Sequence, residues 1–379
     1  MIENTVIYEY ENIQDESLKR NIVETSKLHK YFKLEWKTLK SQQFCGILNF
    51  DNQDIYLLPK IAKDSHETNL DTFIYMLMYA FDIKINNEDI ASCKNHKHTI
   101  LEVFIQMFAK HLLQELQKGV YKNYITCKDN LTTLRGKYLI NENLKYNFKK
   151  NKIYCEYDEF SMDNELNQFF LYALRVLLPF AKNKQLLKKC ELIFDEVEYK
   201  MVDIKTLHVN FNRLNLRFKE SFEFALLLLN QSTPLFEKDK KSFAFLFDMN
   251  ILFEKFVGKM IKELYPQTKL QSCDSFGDMM LKPDIILDEL IIDTKYKKAS
   301  HKRDIKREDK FQMYAYAKNY HLNTTMLLYP KHLESFNCDL VLGFDKVQLK
   351  IKNLDLHVKS CDYKSYISEM KKRIEEIVR

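Results

Sequence analysis

Apolar positions along the chain follow two rhythms. In HTILEVFIQMFAKHLLQELQK, residues 98–118, they recur every three or four residues and stop at Gly119, which predicts a helix closed by a glycine. The run NELNQFFLYALRVLLPF predicts a buried helix ending near Pro179, and SFEFALLLLN, residues 221–230, adds another apolar segment to a helical shell. Over 251–264, Leu252, Phe256, Met260 and Leu264 stack one above another, flanked by Phe253, Val257 and Ile261, with Asn250 placed to cap the helix. A further helix is expected over 308–321, and a polar one, rich in Lys, Glu and Ser, over 15–40.

The second rhythm is that of short strands. FCGILNF and DIYLLPKI, separated by Asp51, Asn52 and Gln53, predict a hairpin with a short polar loop. Residues 121–157 are polar with scattered aromatics and carry LRGKY at 134–138, and a domain junction is expected there. TTMLLYP and shorter strands to Ile351 follow the 308–321 helix. The most informative run is LKPDIILDELIIDTKYKK, residues 281–298, where two apolar strands flank Asp288 and Glu289.

Composition narrows the class. At roughly 100–200 residues per domain, 379 residues imply two or three domains. Hydrophobic residues at 46% and charged ones at 30% suit a packed core, and only 6 Gly and 6 Pro favour long helices with some strands over a turn-rich sandwich. The expected class is α/β, α+β overall, with an N-terminal α+β domain over 1–150 and a second domain over 151–379 that opens with a helical part. A net charge of +6 permits a polyanionic partner without demanding one. The 8 cysteines form no C-x-x-C pair and no zinc-spaced cluster with histidine, so reduced thiols are expected. The acidic start MIENTVIYEYENIQDE is unlike a secretory signal, and no stretch has 18 uninterrupted apolar residues, so a cytoplasmic protein without a membrane partner is expected.

A hairpin centred on Asp288 and Glu289 places Asp284 opposite Asp293. Alternation then brings Ile291, Asp293 and Lys295 to the same side. Directly opposed side chains have Cβ atoms about 5 Å apart, and two like charges at that distance repel by about 3 kcal/mol at an effective dielectric of about 20. A divalent cation relieves that repulsion: Mg²⁺ prefers one or two carboxylates with waters and phosphate oxygens. Lys295 can then help deprotonate or orient a water, or stabilise charge on a phosphate. That is phosphodiester hydrolysis. The alternative is an exposed ion pair at a strand end. Downstream, Asp309, Gln312 and Tyr316 share a helix face, while Lys297, Lys298, Lys302, Arg303, Lys306, Arg307 and His301 form a basic loop where phosphate contacts are useful. A polar helix face and a solvated loop are the plain alternatives.

Pro283-Asp284 followed nine residues later by Asp293-Thr294-Lys295 resembles the PD-(D/E)XK nuclease signature. Its surroundings are GILNFDNQDIYLLPKI, KGVYKNY, LRGKY, YDEFSMDNELNQFF, FLFDMNILFEKFV, KPDIIL with IIDTKYKK, and DKFQMYAYA. In that order they resemble the McrC family, the nuclease subunits of McrBC-type, modification-dependent restriction systems. The resemblance implies a C-terminal restriction-endonuclease-like mixed sheet flanked by helices. It also implies a Mg²⁺ ion, with Mn²⁺ possible, held by Asp284, Asp293 and the Thr294 carbonyl. Lys295 becomes the catalytic amine and Glu254 the acidic residue on the preceding helix, while Gln312 and Tyr316 point at DNA or the site.

The chain has no G-x-x-x-x-G-K-[ST]: Phe253 precedes Gly258-Lys259 and Leu131 precedes Gly136-Lys137 where the first glycine belongs. No nucleotide is therefore expected on this chain. The resemblance supplies a separate AAA+ GTPase of McrB type that reads modified DNA, with the N-terminal region stimulating its hydrolysis and the hairpin tip at 51–54 as one candidate contact. Double-stranded DNA is the expected substrate. Competing readings are a stand-alone repair or recombination nuclease and a non-catalytic activator of an AAA+ motor.

Overall fold

In a computed structural model of the chain, the residues described are 5–36, 38–50, 53–61, 66–83, 100–149, 151–204, 206–234, 243–331, 336–358 and 362–379. The backbone divides into two compact units. One joins Met1–Ile100 to Gln231–Arg379, and the other is Leu101–Asn230. These borders lie away from the one expected near residue 150, because Phe44–Phe50, ahead of the second unit, pairs with Phe243–Asp248, behind it.

The first unit contains a five-stranded sheet in the order Thr5–Tyr8, Gln53–Leu58, Phe44–Phe50, Phe243–Asp248 and Ser232–Pro234. The expected hairpin is present, with Asn49 opposite Asp54 and Leu48 opposite Ile55; Asp51 and Asn52 at its tip lie outside the described residues. Phe243–Asp248 lies antiparallel to Phe44–Phe50, with Leu246 opposite Gly46. A Cβ at Gly46, which has φ +145°, would stand 2.1 Å from the Phe245 carbonyl oxygen, so only glycine lets these strands meet.

The polar helix expected over 15–40 is shorter. Asp15 caps Glu16–Glu24 through the Ser17 and Leu18 amides, and the chain turns extended at Thr25. Phe32–Glu35 and Thr38–Ser41 then form a hairpin whose buried Phe32 and Leu39 join Ile22, Leu28, Leu48 and Leu57 in one core. Two buried anchors outweigh the helix propensity of the charged residues between them.

A six-stranded mixed sheet forms the other half of this unit, in the order Lys269–Leu270, Ile285–Leu287, Leu290–Thr294, Thr324–Pro330, Val347–Leu354 and Cys338–Leu342. Leu290–Thr294, Thr324–Pro330 and Val347–Leu354 run parallel, and the outer pairings are antiparallel. Helices Met249–Leu264 and Arg307–Asn319 both pack on the strand Leu290–Thr294. Alternation separates them: Ile291 packs with Met313 and Tyr316, whereas Tyr296, of the other parity, meets Phe253 edge-on at 5.8 Å. The Met249–Leu264 helix is capped by Asp248, which accepts from the Asn250 amide, and not by Asn250 itself. The terminal helix Tyr363–Val378, packed on Met249–Leu264 through Tyr366, is an element beyond those the sequence pattern predicts. The expected mixed α+β architecture, with a mixed sheet flanked by helices, is what the structure has.

The second unit holds the helix predicted to end at Gly119 and a three-stranded sheet with Ile153–Ser161 between Asn123–Leu131 and Lys137–Tyr138. The expected junction segment is thus built into a sheet. Helices Glu165–Leu177, capped by Asn164, and Lys219–Gln231 bury Phe169 against Phe222, ring centroids 4.6 Å apart. Among the described residues no helix is long and apolar enough to cross a membrane.

Candidate active site

The site forms where the hairpin Ile285–Leu287 and Leu290–Thr294 opens. Ile285 pairs with Ile292 and Leu287 with Leu290, the register that the centred Asp288-Glu289 turn predicts. Pro283 has no N–H to extend the ladder. Beyond the last pair, the Thr294 amide and hydroxyl donate to Asp284 Oδ2 at 2.7 and 2.8 Å. The Asp284 carboxylate is therefore fixed by the amide and hydroxyl of Thr294, a residue that the resemblance invoked only for its carbonyl.

Asp293 is 1% exposed. Its Oδ2 is buried without a well-angled hydrogen bond, and its charged neighbour is Lys295 Nζ at 2.5 Å. Burial, and then the Asp284 charge, push the Asp293 pKa from 3.8 to about 6, against the pull of Lys295. Burial works against the Lys295 ammonium, but Asp293, Asp284 and Asp309 outweigh it and hold its pKa above the usual value. The amine is thus a cation at neutral pH.

Arg307–Asn319 brings two more of the expected residues to the same place. Gln312 Nε2 stands 3.5 Å from Asp293 Oδ1 and donates to the Tyr316 hydroxyl at 2.8 Å. The Tyr316 hydroxyl in turn donates to the Lys282 carbonyl at 3.0 Å, just before Asp284. Gln312 and Tyr316 are one helical turn apart, which is why both reach the hairpin mouth.

Glu254 approaches from Met249–Leu264. It is half-buried, and burial raises its pKa, with Asp284 adding to the rise and Lys282 and Lys295 opposing it. Its Oε1 accepts from Gln271 Nε2 at 2.5 Å. Gln271, which the sequence did not single out, has φ +47° and donates its backbone N–H to the Asp284 carbonyl at 2.8 Å. A non-glycine residue in that conformation costs about 1 kcal/mol, so the contacts around it hold it there.

The basic loop divides. The Lys297 ammonium lies 2.5 Å from Asp309 Oδ2, and Asp309 is buried. Lys298, Lys302 and Arg303 are exposed, on a loop pinned by buried Ala299 and Ile305 and by Asp304, which accepts from the Ser300 and His301 amides. Behind the hairpin, the Tyr296 hydroxyl donates to Glu9 Oε1 at 3.0 Å. Burial raises the Glu9 pKa from 4.5 to about 7.

These residues fit a Mg²⁺-type ion. The buried Asp293 Oδ2, beside a second carboxylate that raises its pKa, is an acceptor set that a cation completes. Among the described residues no group of three or more His, Cys, Asp or Glu side chains is gathered closely enough to cage an ion alone. Two carboxylates with waters and substrate oxygens are the usual complement of Mg²⁺.

A model of the family described as "McrBC 5-methylcytosine restriction system component" matches residues 39–330. The chain belongs to that family. The McrBC match takes in Glu254, Gln271, Asp284, Asp293, Lys295, Gln312 and Tyr316 and stops before the last two strands and the terminal helix. In agreement with the resemblance read from the sequence, the chain is a component of the McrBC restriction-system family. The fold is similar to a chain of the refined half-complex from the tetradecameric assembly of Thermococcus gammatolerans McrB AAA+ hexamers with bound McrC. That likeness has a TM-score of 0.66 at 20% identity and covers 99% of this chain and 100% of the other. A chain of the cryo-EM structure of the Thermococcus gammatolerans McrBC complex is similar with a TM-score of 0.50 at 25% identity, over 68% of this chain and 87% of that one. No curated protein matches the chain.

Proposed function

We propose that this chain is the Mg²⁺-dependent DNA endonuclease subunit of a GTP-driven, modification-dependent restriction complex, acting on double-stranded DNA in the cytoplasm. The observation that carries the reading is the ion-paired, buried Asp293 beside Asp284 and Lys295 at the mouth of the hairpin. Two carboxylates brought together at the cost of a raised pKa are more than a fold requires, and they suit a divalent cation. Bound there, Mg²⁺ supplies Lewis-acid polarisation of a phosphate and a more acidic water. Asp284 and Asp293 hold the ion with the Thr294 carbonyl, Glu254 borders it, and Lys295 presents a fixed positive charge to the phosphate. Gln312 and Tyr316 close the side facing the Arg307–Asn319 helix. Exposed Lys298, Lys302 and Arg303 take the DNA backbone, while Lys297 serves Asp309.

The partner in this reading is an AAA+ GTPase of McrB type, which residues 1–150 engage and whose hydrolysis they stimulate. Family membership supports this, as does the likeness to chains of McrB assemblies containing McrC. Plasmid cleavage in Mg²⁺ tests it, with the chain alone and then with its genomically adjacent AAA+ protein and GTP, on modified and unmodified DNA. The expected result is cutting that requires the partner, the nucleotide and Asp293. Cutting by the chain alone makes it an autonomous nuclease. GTP turnover that rises without any cutting makes it an activator with a silent nuclease fold.

A further inference from the structure

Gln271 touches two of the site's acidic residues and has no place in the signature. It follows the edge strand Lys269–Leu270, which pairs with Ile285–Leu287, so its backbone arrives beside the open end of the hairpin. Its N–H donates to the Asp284 carbonyl at 2.8 Å, and its side-chain amide donates to Glu254 Oε1 at 2.5 Å. One residue thus bridges the start of the catalytic hairpin and the helix Met249–Leu264. Its backbone, at φ +47°, lies in the left-handed region that glycine, asparagine and aspartate occupy far more readily than glutamine. Glycine would satisfy that backbone better, and glutamine adds one thing glycine lacks, an amide long enough to reach Glu254. The side chain therefore accounts for the residue.

We propose that Gln271 is a positioning residue of the cation site. By holding Oε1 of Glu254, it fixes the rotation of that carboxylate and leaves the other oxygen to meet a water on the ion. Glu254 then enters the site already oriented, and does not lose side-chain freedom when the ion arrives. The inference rests on the nuclease reading for the identity of the ion, but the geometry it uses is independent of any cleavage.

The test is Mn²⁺ binding to the full chain, followed by the loss of the free-ion electron paramagnetic resonance signal. Wild type is compared with Gln271→Gly, Gln271→Asn and Glu254→Gln. Gln271→Gly relaxes the backbone and removes the amide, while Gln271→Asn keeps an amide that tolerates the same backbone but is too short. Removing an outer-shell partner of this kind weakens metal affinity by about tenfold or more. Both Gln271 variants are expected to show that loss while melting no lower than wild type. In the assembled complex, their half-saturating Mg²⁺ for cutting is expected to rise by the same factor, with the rate at saturating Mg²⁺ retained. An Mn²⁺ affinity of Gln271→Gly within twofold of wild type, alongside a clear loss in Glu254→Gln, overturns the proposal. Failure of the nuclease reading has a different signature. A wild type that binds Mn²⁺ with the Gln271 dependence intact, yet cuts no DNA at any Mg²⁺ concentration, leaves Gln271's role standing and removes the reaction.

Discussion

Thr294 gives both its amide and its hydroxyl to a single oxygen of Asp284. A carboxylate fixed by two donors from one residue has its orientation set before any ion arrives. Thr294→Val keeps the shape and the amide but deletes the hydroxyl, a hydrogen bond to a charged group worth about 1.5 kcal/mol. The variant is expected to fold, to melt slightly lower, and to need several-fold more Mg²⁺ for the same thermal stabilisation. Thr294→Ser is expected to restore the response. A valine variant with an unaltered Mg²⁺ response would give the hydroxyl no part in holding Asp284.

The buried Asp293 makes the metal-free protein pH-sensitive in a defined direction. Its folded pKa, about 6, lies above the ordinary 3.8, so the folded state keeps its proton longer than the unfolded one. The resulting stability is present below pH 4 and is lost as the pH rises through about 6, by up to about 3 kcal/mol. Asp293→Asn removes this loss but strands Lys295, so a net gain of about 1 to 2 kcal/mol is expected at pH 8 without Mg²⁺, with loss of cutting and of the Mg²⁺ response. Urea unfolding at pH 4 and pH 8 measures it. Equal pH dependence in the two proteins would show that Asp293 titrates normally.

Glu9 has the same sign by a different route. Its Oε1 accepts from the Tyr296 hydroxyl and the Lys60 amide, and burial is the main cause of its pKa of about 7. Stability is lost as the pH climbs from about 4.5 through 7, again by about 3 kcal/mol. Glu9→Gln keeps an oxygen for both donors and carries no charge. It is expected to flatten the pH 5 to 8 decline seen in urea unfolding of the wild type, and a decline as steep as wild type would assign it to other groups.

The basic loop holds one lysine ion-paired to a buried carboxylate among basic residues that are exposed. Lys297→Ala leaves the buried Asp309 charge without its ion pair and is expected to lower stability by about 3 kcal/mol. Lys302→Ala and Arg303→Ala, both exposed, are expected to leave the melting temperature unchanged. Each is expected to reduce the salt dependence of DNA binding by about one unit of slope. Fluorescence anisotropy across a salt series distinguishes these outcomes, and slopes equal to wild type would remove the loop from the DNA contact.

The hairpin register was legible because apolar residues flank a central polar pair, and a one-residue slip would send Asp293 and Ile292 to the wrong faces. The Met249–Leu264 helix was legible by spacing, but Asp248 and Asn250 are both good caps, and only the direction of chain entry decides between them. Asn123–Leu131 is not legible in the sequence because its residues are half-buried or exposed along its length, so no apolar face marks it. Gln271 carries no sequence signal, since a left-handed glutamine in a polar stretch looks like any loop residue. Lys297 and Lys302 are likewise indistinguishable by type, and the buried Asp309 alone separates them. The two-unit division was invisible because the pairing of Phe44–Phe50 with Phe243–Asp248 joins segments some two hundred positions apart.

That pairing also dictates an order of assembly during translation. When Phe44–Phe50 leaves the ribosome, one of its flanks has Gln53–Leu58 within reach, but the strand that covers the other is still unmade. Until Phe243–Asp248 emerges, the early hairpin carries an open, apolar edge of the kind that recruits foreign strands. All of Leu101–Asn230 is synthesised during that wait. A fragment cut at residue 150 therefore keeps the edge open and is expected to aggregate, whereas one that extends past Asp248 has the means to close it.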